Sequence, residues 1–572
     1  MGNEKKHSLS EFLDTLPAIY DHEQVEAKWR TFWEEENVFA FDANAPKERI
    51  YSVDTPPPTV SGDLHIGHVF SYTHQDFIVR YKRMAGFEVF YPFGFDDNGL
   101  PTERLVEKVK GVRANELSRE EFTKLCLEVS AEQEKKFKEL WQAVGLSCDW
   151  TEVYSTIDEV SRRISQRSFL DLLRKGEVYL KEAPTLWCTE CRTAIAQAEV
   201  ADKEEDSEFH EILFGKEDGG SVAIATTRPE LLPACVSVFY NPQDERYKEL
   251  KGQKLRVPYF GYWVPVMEDE KVDPEKGTGI VMCCTFGDTV DIQWWQTYSL
   301  ETRVILDEEG RLTDKAMNFK GMPLKQARKA ILEALRAEGL LTKSDPIVHL
   351  VSAHERCGTP LEFLITKQWF IKVLDKKEEL IRFGEKCRWF PPHMEVRYRH
   401  WVENLKWDWC ISRQRYYGVP FPIWYCEACE EVIPARDEDL PVNPLTDKPP
   451  VSFCPKCGSG KIVPEKDVFD TWATSSLTPQ INAKWGEKDE RMSLLFPMSL
   501  RPQAHDIIRT WAFYTIAKAY FHQKDIPWRD LMISGHALDV SREKISKSKS
   551  ATVNPREIIK KFSADVVRHW AG

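Results

Sequence analysis

The sequence predicts an α/β protein built on a doubly wound, Rossmann-like parallel sheet, which is split by a mainly β insertion and a zinc-ribbon insertion and follows a helical N-terminus. Three observations predict this fold. From Arg49 a strand, a turn-rich loop, a helix over residues 65–84 and the strand EVFYPFGF follow in the order of a βαβ unit. Residues 209–306 form short β-rich runs broken by Gly, Pro and Asp. The C-x-x-C pairs at 426–429 and 454–457 have the spacing of a zinc ribbon.

Changes of pattern along the chain predict the domain boundaries. They give a helical segment at 1–48, the first half of the sheet domain at 49–192, the insertion at 193–348, the second half at 349–540 with the ribbon at about 424–465, and a closing segment at 541–572. In such a sheet, ligands bind at the carboxyl end of the first strand.

Composition excludes several classes of protein. A chain of 572 residues is too long to fold around a single hydrophobic core. A content of 42% hydrophobic and 30% charged residues is typical of a folded globular protein. With a net charge of -13, the composition gives no evidence for nucleic-acid binding, so such binding would need local basic patches. The first thirty residues resemble no secretory or transit peptide, and no long apolar run predicts a membrane span. We therefore expect a cytoplasmic protein whose 14 cysteines form no disulfide framework.

The residues HIGH begin the first predicted helix. Unpaired backbone N–H groups and the helix dipole favour phosphate at that position. His65 and His68 lie one turn apart and can donate to phosphate oxygens, while Gly67 leaves room for a base or ribose. The alternative is that the two histidines only cap the helix.

A second polar motif, KISKS, lies near the far end of the chain. Lys544, Ser546 and Lys547 supply two ammonium groups and a hydroxyl suited to a triphosphate, although such a run is usually a solvated loop. HIGH and KISKS together resemble the paired signatures of class I aminoacyl-tRNA synthetases, in which both bind one ATP. The resemblance implies that ATP with Mg²⁺ is the substrate complex, and that His65, His68, Lys544 and Lys547 are catalytic.

Further segments resemble the valine-specific members of this class. PPPTVSGDLHIGH and FGFDDNG carry the resemblance, which implies valine, ATP and valine tRNA as partners, with neither DNA nor a membrane. It also implies that Asp96 binds the substrate ammonium. Three further segments resemble successive parts of the family's amino-acid pocket: WDWCISRQRYYG, DTWATSS and AHDIIRTW. Together with the loop before HIGH, the resemblance implies that Pro57, Trp472 and Ile507 surround a small branched side chain. An isoleucine-specific synthetase and a non-catalytic paralogue that acts as a binding module are the alternatives.

The insertion resembles the editing domain of the same family. A pocket that accepts valine by shape rejects threonine poorly, and valine synthetases are the standard example, at about a hundredfold. ATTRPE and GTGIVMCCTFGDTVD resemble the two editing segments, and ELLPAC and CCTFGD resemble the archaeal and eukaryotic-type branch. The implied residues for hydrolysis of threonyl-tRNA are Thr226, Thr227, Arg228, Asp288 and Asp291. One aspartate would bind the ammonium and the other the threonine hydroxyl; the alternative is two surface aspartates.

Two quartets have the spacing of structural zinc sites, so two Zn²⁺ ions are expected. The first is Cys188, Cys191, His354 and Cys357, and the second is Cys426, Cys429, Cys454 and Cys457. The first depends on pairs separated by a whole domain, and iron–sulfur or free thiols are alternatives for the second. The other cysteines are interpreted as small core residues. Because the family continues beyond KISKS into an anticodon-binding domain, we expect that domain to be absent from a chain ending at Gly572.

Overall fold

The computed structural model describes residues 20–62, 64–538, 542, 545 and 554–572. Among these residues, no helix is both long enough and apolar enough to cross a membrane. The α-helices are α1 (His22–Glu35), α2 (Ile66–Met84), α3 (Leu100–Lys110), α4 (Arg119–Val144), α5 (Glu159–Lys175), α6 (Thr289–Tyr298), α7 (Leu324–Ala337), α8 (Lys377–Lys386), α9 (Glu395–Glu403), α10 (Thr471–Ser475), α11 (Thr478–Asn482), α12 (Arg491–Leu495), α13 (Phe513–Gln523), α14 (Pro555–Phe562) and α15 (Ala564–Ala571).

The strands are mostly short, apart from three long ones at β5, β7 and β13. In order they are β1 (Ile50–Ser52), β2 (Glu88–Phe90), β3 (Pro92–Phe95), β4 (Asp149–Ser155), β5 (Val178–Cys188), β6 (Thr193–Ala194), β7 (Val200–Lys216), β8 (Ser221–Thr226), β9 (Cys235–Tyr240), β10 (Lys254–Arg256), β11 (Trp263–Glu268), β12 (Ile280–Cys284), β13 (Leu341–His354), β14 (Glu362–Ile371), β15 (Arg388–Phe390), β16 (Trp409–Cys410), β17 (Ser412–Arg413), β18 (Ile423–Cys426), β19 (Val432–Pro434), β20 (Ile462–Pro464), β21 (Val468–Phe469), β22 (Met498–Ala504) and β23 (Trp528–Ser534).

The chain divides into two compact units, and the first contains the parallel sheet. This unit consists of the described residues of Met1–Ser165, Glu378–Val402 and Thr471–Gly572. Strands β15, β23 and β22 run parallel in that order, β1 pairs parallel with β2, and β3 pairs parallel with β4. A parallel bridge between Val53 and Leu500 joins β1 to β22. The predicted parallel, doubly wound sheet is therefore confirmed.

Helix α2 is the crossover between β1 and β2, as the βαβ pattern predicts. His65 is its N-cap in extended conformation, with φ -115° and ψ 169°, and the helix buries an apolar face that includes Ile66, Val69 and Val79. The run EVFYPFGF, predicted as one strand, is instead divided at Tyr91. Its first part pairs with β1 and its second part with β4.

The second unit consists of Gln166–Lys377 and Glu403–Asp470 and is mainly β. A seven-stranded sheet has the order β12-β9-β11-β10-β7-β13, with β8 paired to β7, and strands β7 and β13 form a long antiparallel pair. Helix α7 packs on its core through Ala327, Ile331 and Leu335, which are spaced four residues apart on one face. Strands β18, β19 and β20 form a separate small sheet around the second cysteine quartet. The segment predicted to be β-rich, residues 209–306, contains strands from the second half of β7 to β12 but ends differently from the prediction, because helix α6 follows β12.

A fully buried ion pair joins the carboxyl end of β1 to β22 in the first unit. Arg501 and Asp54 have side chains with 0% exposure, and the guanidinium Nη1 lies 2.6 Å from Asp54 Oδ2. That oxygen also accepts from Trp528 Nε1 at 2.7 Å and from the Thr478 hydroxyl at 3.1 Å. The Trp511 and Trp528 rings lie against the guanidinium. A buried charge pair with further hydrogen bonds of this kind fixes one geometry.

We expect Asp54→Asn to lower the free energy of unfolding by about 3–5 kcal/mol, because it leaves the Arg501 charge buried without its partner. Chemical denaturation followed by tryptophan fluorescence measures this. The matched control is Glu132→Gln, which breaks an exposed ion pair with Lys136 and should cost no more than about 0.5 kcal/mol. Equal losses in the two variants would contradict the role assigned to the buried pair.

Candidate active site

The HIGH residues form a rigid cap on helix α2. The Gly67 N–H donates to Nδ1 of His65 at 3.1 Å, and the His65 N–H donates to Nδ1 of His68 at 3.2 Å. The two rings lie 4.0 Å apart. A ring nitrogen that accepts from a backbone N–H carries no proton, so each imidazole is in the tautomer with its proton on Nε2. Both histidines thus have a fixed Nε2–H donor at a helix N-terminus.

Gly67 is required by close packing at this cap. A Cβ atom there would lie 3.0 Å from the His65 ring and 3.3 Å from Cβ of Ala537. The predicted ATP-binding residues Lys544, Ser546 and Lys547 lie outside the described residues. Ile545, from the same motif, is described, and its N–H donates to the Ala537 carbonyl at 3.1 Å. The described part of KISKS therefore meets the HIGH cap through Ala537.

Asp96 lies at the end of β3 and is 1% exposed. Its Oδ1 accepts from the Thr156 hydroxyl at 3.0 Å. Its backbone N–H donates to the Pro58 carbonyl at 3.1 Å, next to the predicted pocket residue Pro57, which is also buried. The structure thus brings the PPPTV loop and Asp96 together at the carboxyl end of the parallel sheet.

Trp472 and Ile507 belong to two further segments of the first unit. Trp472 is buried in helix α10, and its ring packs edge-on against Trp511 with centroids 5.1 Å apart. Ile507 is half-buried in a turn directly before the segment that carries Trp511. The Trp472–Trp511 contact connects these two pocket segments.

Polar residues that were not predicted from the sequence join helix α10 to the Asp96 loop. Asn98 Nδ2 donates to the Thr474 hydroxyl at 2.9 Å, and the Thr471 hydroxyl donates to the Asn98 carbonyl at 2.6 Å. One feature of the sequence could have indicated them: Asn98 lies inside the motif FGFDDNG, and Thr471 and Thr474 lie inside DTWATSS.

A second missed feature is a pair of acidic groups beside Asp96. Asp97 is 0% exposed and accepts from the Ser155 hydroxyl at 2.5 Å. Burial raises the pKa of Asp97, and burial together with the adjacent Asp97 raises the pKa of Glu134 to about 9. Two carboxyl groups in one buried place cannot both ionise, so this pair retains a proton at neutral pH.

The two predicted editing segments lie side by side in the second unit. The Ala225 N–H donates to the Thr278 hydroxyl at 3.3 Å, and a Cβ on Gly277 would lie 2.9 Å from Cβ of Ala225. Thr226 is buried at the end of β8, and its hydroxyl accepts from the Arg228 N–H at 3.0 Å. Thr227, between them, is half-buried.

Arg228 is held by a buried ionic network. Its guanidinium donates to Glu362 at 2.8 and 2.9 Å and to Glu230 at 3.1 Å. Glu230, which is 1% exposed, also accepts two hydrogen bonds from Arg328 at 2.8 Å. Arg228 is therefore firmly oriented, with two carboxylates already bound to it.

Asp288 and Asp291 occupy different environments at the start of helix α6. Asp288 is exposed and caps the helix, because its Oδ1 accepts from the N–H groups of Val290 at 2.7 Å and Asp291 at 2.9 Å. Asp291 is buried and accepts from the Gly287 N–H at 3.0 Å. Burial, and then the Asp288 charge, raise the pKa of Asp291 to about 8. Near pH 7 the Asp291 carboxyl is therefore largely protonated.

Both predicted metal quartets are assembled. In each, the four ligand atoms lie within 4.8 Å of one another. In the first, Cys191 Sγ lies 3.7 Å from Cys357 Sγ and 3.5 Å from His354 Nδ1. In the second, Cys426 and Cys457 are 3.5 Å apart and Cys429 and Cys454 are 3.6 Å apart.

These separations fit a single ion at the centre of each quartet. Tetrahedral zinc with bonds of about 2.3 Å puts its sulfur ligands about 3.8 Å apart. Four protein ligands fill that geometry, so both groups can hold a structural metal. The remaining cysteines are buried free thiols, as predicted for core residues: Cys126, Cys148, Cys235, Cys283, Cys284, Cys387 and Cys410.

Comparison with known proteins gives a consistent result. A family model described as tRNA synthetases class I (I, L, M and V) matches residues 28–571. The valine–tRNA ligase of Rickettsia prowazekii (strain Madrid E) is 48% identical over 565 residues, which cover 97% of this chain and 69% of the relative. The valine–tRNA ligase of Thermoplasma volcanium is 49% identical over 552 residues, which cover 96% of this chain and 69% of the relative.

A solved structure shares the fold. The Agrobacterium radiobacter K84 LeuRS–tRNA–LeuAMS ternary complex matches with a TM-score of 0.54 at 20% identity, covering 97% of this chain and 72% of that one. At this identity the likeness speaks for the fold alone, which is the Rossmann-like architecture predicted from the sequence.

Proposed function

This chain belongs to the class I tRNA synthetases and, within them, to the valine–tRNA ligases, and from that premise we propose that it activates valine with ATP and transfers it to valine tRNA. The observation that carries the proposal is the HIGH cap, which presents two Nε2–H donors at the N-terminus of α2. Asp96 lies at the same edge of the parallel sheet. We further propose a cytoplasmic location, supported by fourteen cysteines of which none is in a disulfide.

The proposed reaction needs positioning and electrostatics but no protein nucleophile. The Asp96 carboxylate holds the valine ammonium, and Pro57, Trp472 and Ile507 surround its side chain. The valine carboxylate attacks the α-phosphorus of ATP, and pyrophosphate leaves. His65 and His68 donate from Nε2 to phosphate oxygens as charge develops, assisted by Lys544, Ser546 and Lys547. Mg²⁺ neutralises phosphate charge when bound. A hydroxyl of the tRNA terminal ribose then attacks the carbonyl carbon of valyl-adenylate, the bond to the phosphate oxygen breaks, and AMP leaves.

We expect valine-dependent ATP–pyrophosphate exchange, which needs no tRNA. Asp96→Asn should lower kcat/KM for valine by at least about tenfold, roughly 1.4 kcal/mol, because the ammonium loses its charged partner. Lys547→Ala should lower the exchange rate to a similar degree. Glu132→Gln, an exposed change in the same unit, should leave exchange unaltered. Faster exchange with isoleucine than with valine would favour the isoleucine-specific alternative, and no exchange with either would favour the binding module.

We propose that the second unit hydrolyses threonine misattached to valine tRNA, at a site formed by Thr226, Thr227, Arg228, Asp288 and Asp291. The contact between the two editing segments supports this proposal. Exposed Asp288 suits the substrate ammonium, since it is a charged group open to solvent. Asp291, buried and protonated near neutral pH, suits a hydrogen bond with the threonine hydroxyl.

Asp288→Asn should slow deacylation of pre-charged threonyl-tRNA by about tenfold or more and leave valine activation unchanged. Asparagine caps helices as well as aspartate does, so this substitution removes the charge without removing the cap. Asp288→Ala removes both and reports the cost of the cap. The rate of threonine release from the tRNA is the measurement. Equal release by Asp288→Asn and wild type would exclude Asp288 from the site.

We propose that each quartet binds one structural Zn²⁺. The four-ligand arrangement and the sulfur separations support it, and a closed site of this type stabilises the fold and leaves no position for substrate.

Metal analysis of the purified chain should give close to two equivalents of zinc, one for each quartet. Cys426→Ser should remove one equivalent and Cys191→Ser the other, each with a lower thermal midpoint, because a ligand is lost. Cys126→Ser, which changes a buried cysteine outside both quartets, is the control and should retain both equivalents. One equivalent in the wild type, unaffected by Cys191→Ser, would exclude the quartet containing His354.

A further inference from the structure

We infer that Asn98 is a positioning residue that sets the spacing between Asp96 and Trp472, and thereby the size of amino acid that the pocket accepts. The inference rests on the proposed function, in which Asp96 holds the ammonium and Trp472 forms a wall of the pocket. Asn98 itself needs no contact with the substrate for this role. It acts through the hydrogen bonds that connect the Asp96 loop to helix α10.

The direction of these hydrogen bonds is determined by the threonines. The Thr474 hydroxyl has one hydrogen, which it donates to the Thr471 carbonyl at 2.8 Å. It therefore accepts from Asn98, whose Nδ2 lies 2.9 Å away. The Thr471 hydroxyl donates in turn to the Asn98 carbonyl at 2.6 Å. Two hydrogen bonds thus join the loop to the helix: the one to Thr474 requires the side-chain amide of Asn98, and the one from Thr471 goes to its backbone carbonyl.

Burial makes this arrangement stiff. Asn98 and Thr474 are each 1% exposed, so solvent cannot reach these groups to replace a broken hydrogen bond. The next residue, Gly99, has φ +74°, and a Cβ there would lie 3.4 Å from Thr471 Oγ1. The chain turns sharply against the helix at this point, which keeps Asn98 in place.

The other end of the loop is fixed independently of Asn98. The Asp96 N–H donates to the Pro58 carbonyl at 3.1 Å, and the Val60 N–H donates to the Asp96 carbonyl at 3.4 Å. Asp96 is therefore held to the PPPTV loop. Loss of the Asn98–Thr474 contact would leave only the Thr471 hydrogen bond between the loop and helix α10, while Asp96 stays held, so the helix can shift relative to Asp96.

The orientation of Trp472 depends on the same turn of helix. The Ser475 hydroxyl donates to the Thr471 carbonyl at 2.8 Å, and the Ser475 carbonyl accepts from Trp511 Nε1 at 3.0 Å. The Trp472 ring packs edge-on against Trp511. A shift of α10 therefore moves the wall of the pocket, and a looser wall admits a longer side chain such as that of isoleucine.

The test compares Thr474→Val with Thr474→Ser in the ATP–pyrophosphate exchange assay. Thr474→Val keeps the shape but removes the hydroxyl, and should raise KM for valine about fivefold, the equivalent of one hydrogen bond. The preference for valine over isoleucine should fall by a similar factor, with KM for ATP within about twofold of wild type. Thr474→Ser retains the hydroxyl and should behave as wild type. Asn98→Ala should reproduce the Thr474→Val pattern.

The matched control is Tyr91→Phe, which removes a hydroxyl that accepts from Gln75 Nε2 at 2.7 Å in the buried core of the same unit. It should lower stability without changing either KM or the preference for valine. Equal changes in Tyr91→Phe and Thr474→Val, or an unchanged preference in a folded Thr474→Val, would overturn the inference. A wild-type chain without valine-dependent exchange would overturn the proposed function instead, and the inference with it.

Discussion

The ion pair between Asp54 and Arg501 is the constraint on which the catalytic edge of the parallel sheet depends. It lies where β1 ends, and the loop that leads to HIGH begins two residues later. Because both side chains are fully buried, water cannot solvate either charge. The two charges must therefore pair with each other, and only one arrangement of β1 and β22 allows this. Trp528 of β23 donates to the same carboxylate, so three strands meet at one oxygen atom. The positions of HIGH and of the Asp96 loop follow from this sheet.

Buried carboxylates in this chain are stabilised in two different ways. Asp54 and Glu230 face arginines, which suits places where strands or segments must be locked together. Asp97 and Glu134 share a proton, which keeps the negative charge low beside Asp96. A second full charge there would compete with Asp96 for a bound ammonium. Asp54 and Glu230, which pair with arginines, are thus structural, whereas Asp97 and Glu134, which share a proton, border the proposed substrate pocket.

The features that could be predicted from the sequence were local or carried by motifs. The start of α2 at HIGH, the βαβ order and the two metal quartets all depend on neighbouring residues or on spacing. The buried contacts could not be predicted in this way. Asp54 and Arg501 are 447 residues apart, and Asn98 and Thr474 are 376 residues apart. A periodic pattern shows which face is buried but not which partner a buried polar group will meet, since that depends on how the chain closes on itself. For the same reason Arg228, found by resemblance, gave no sign of its bonds to Glu362.

The fixed tautomers of His65 and His68 bear on how the site releases what it binds. A neutral N–H donor directs a phosphate oxygen along one line but adds no net charge, whereas an ammonium or imidazolium attracts a polyanion from every direction. Backbone N–H groups of the α2 cap donate to both Nδ1 atoms, so the proton of each neutral ring is on Nε2. In the proposed reaction, the two Nε2–H donors would direct phosphate oxygens without holding the departing pyrophosphate by a net charge on the rings, which suits an enzyme that must turn over repeatedly.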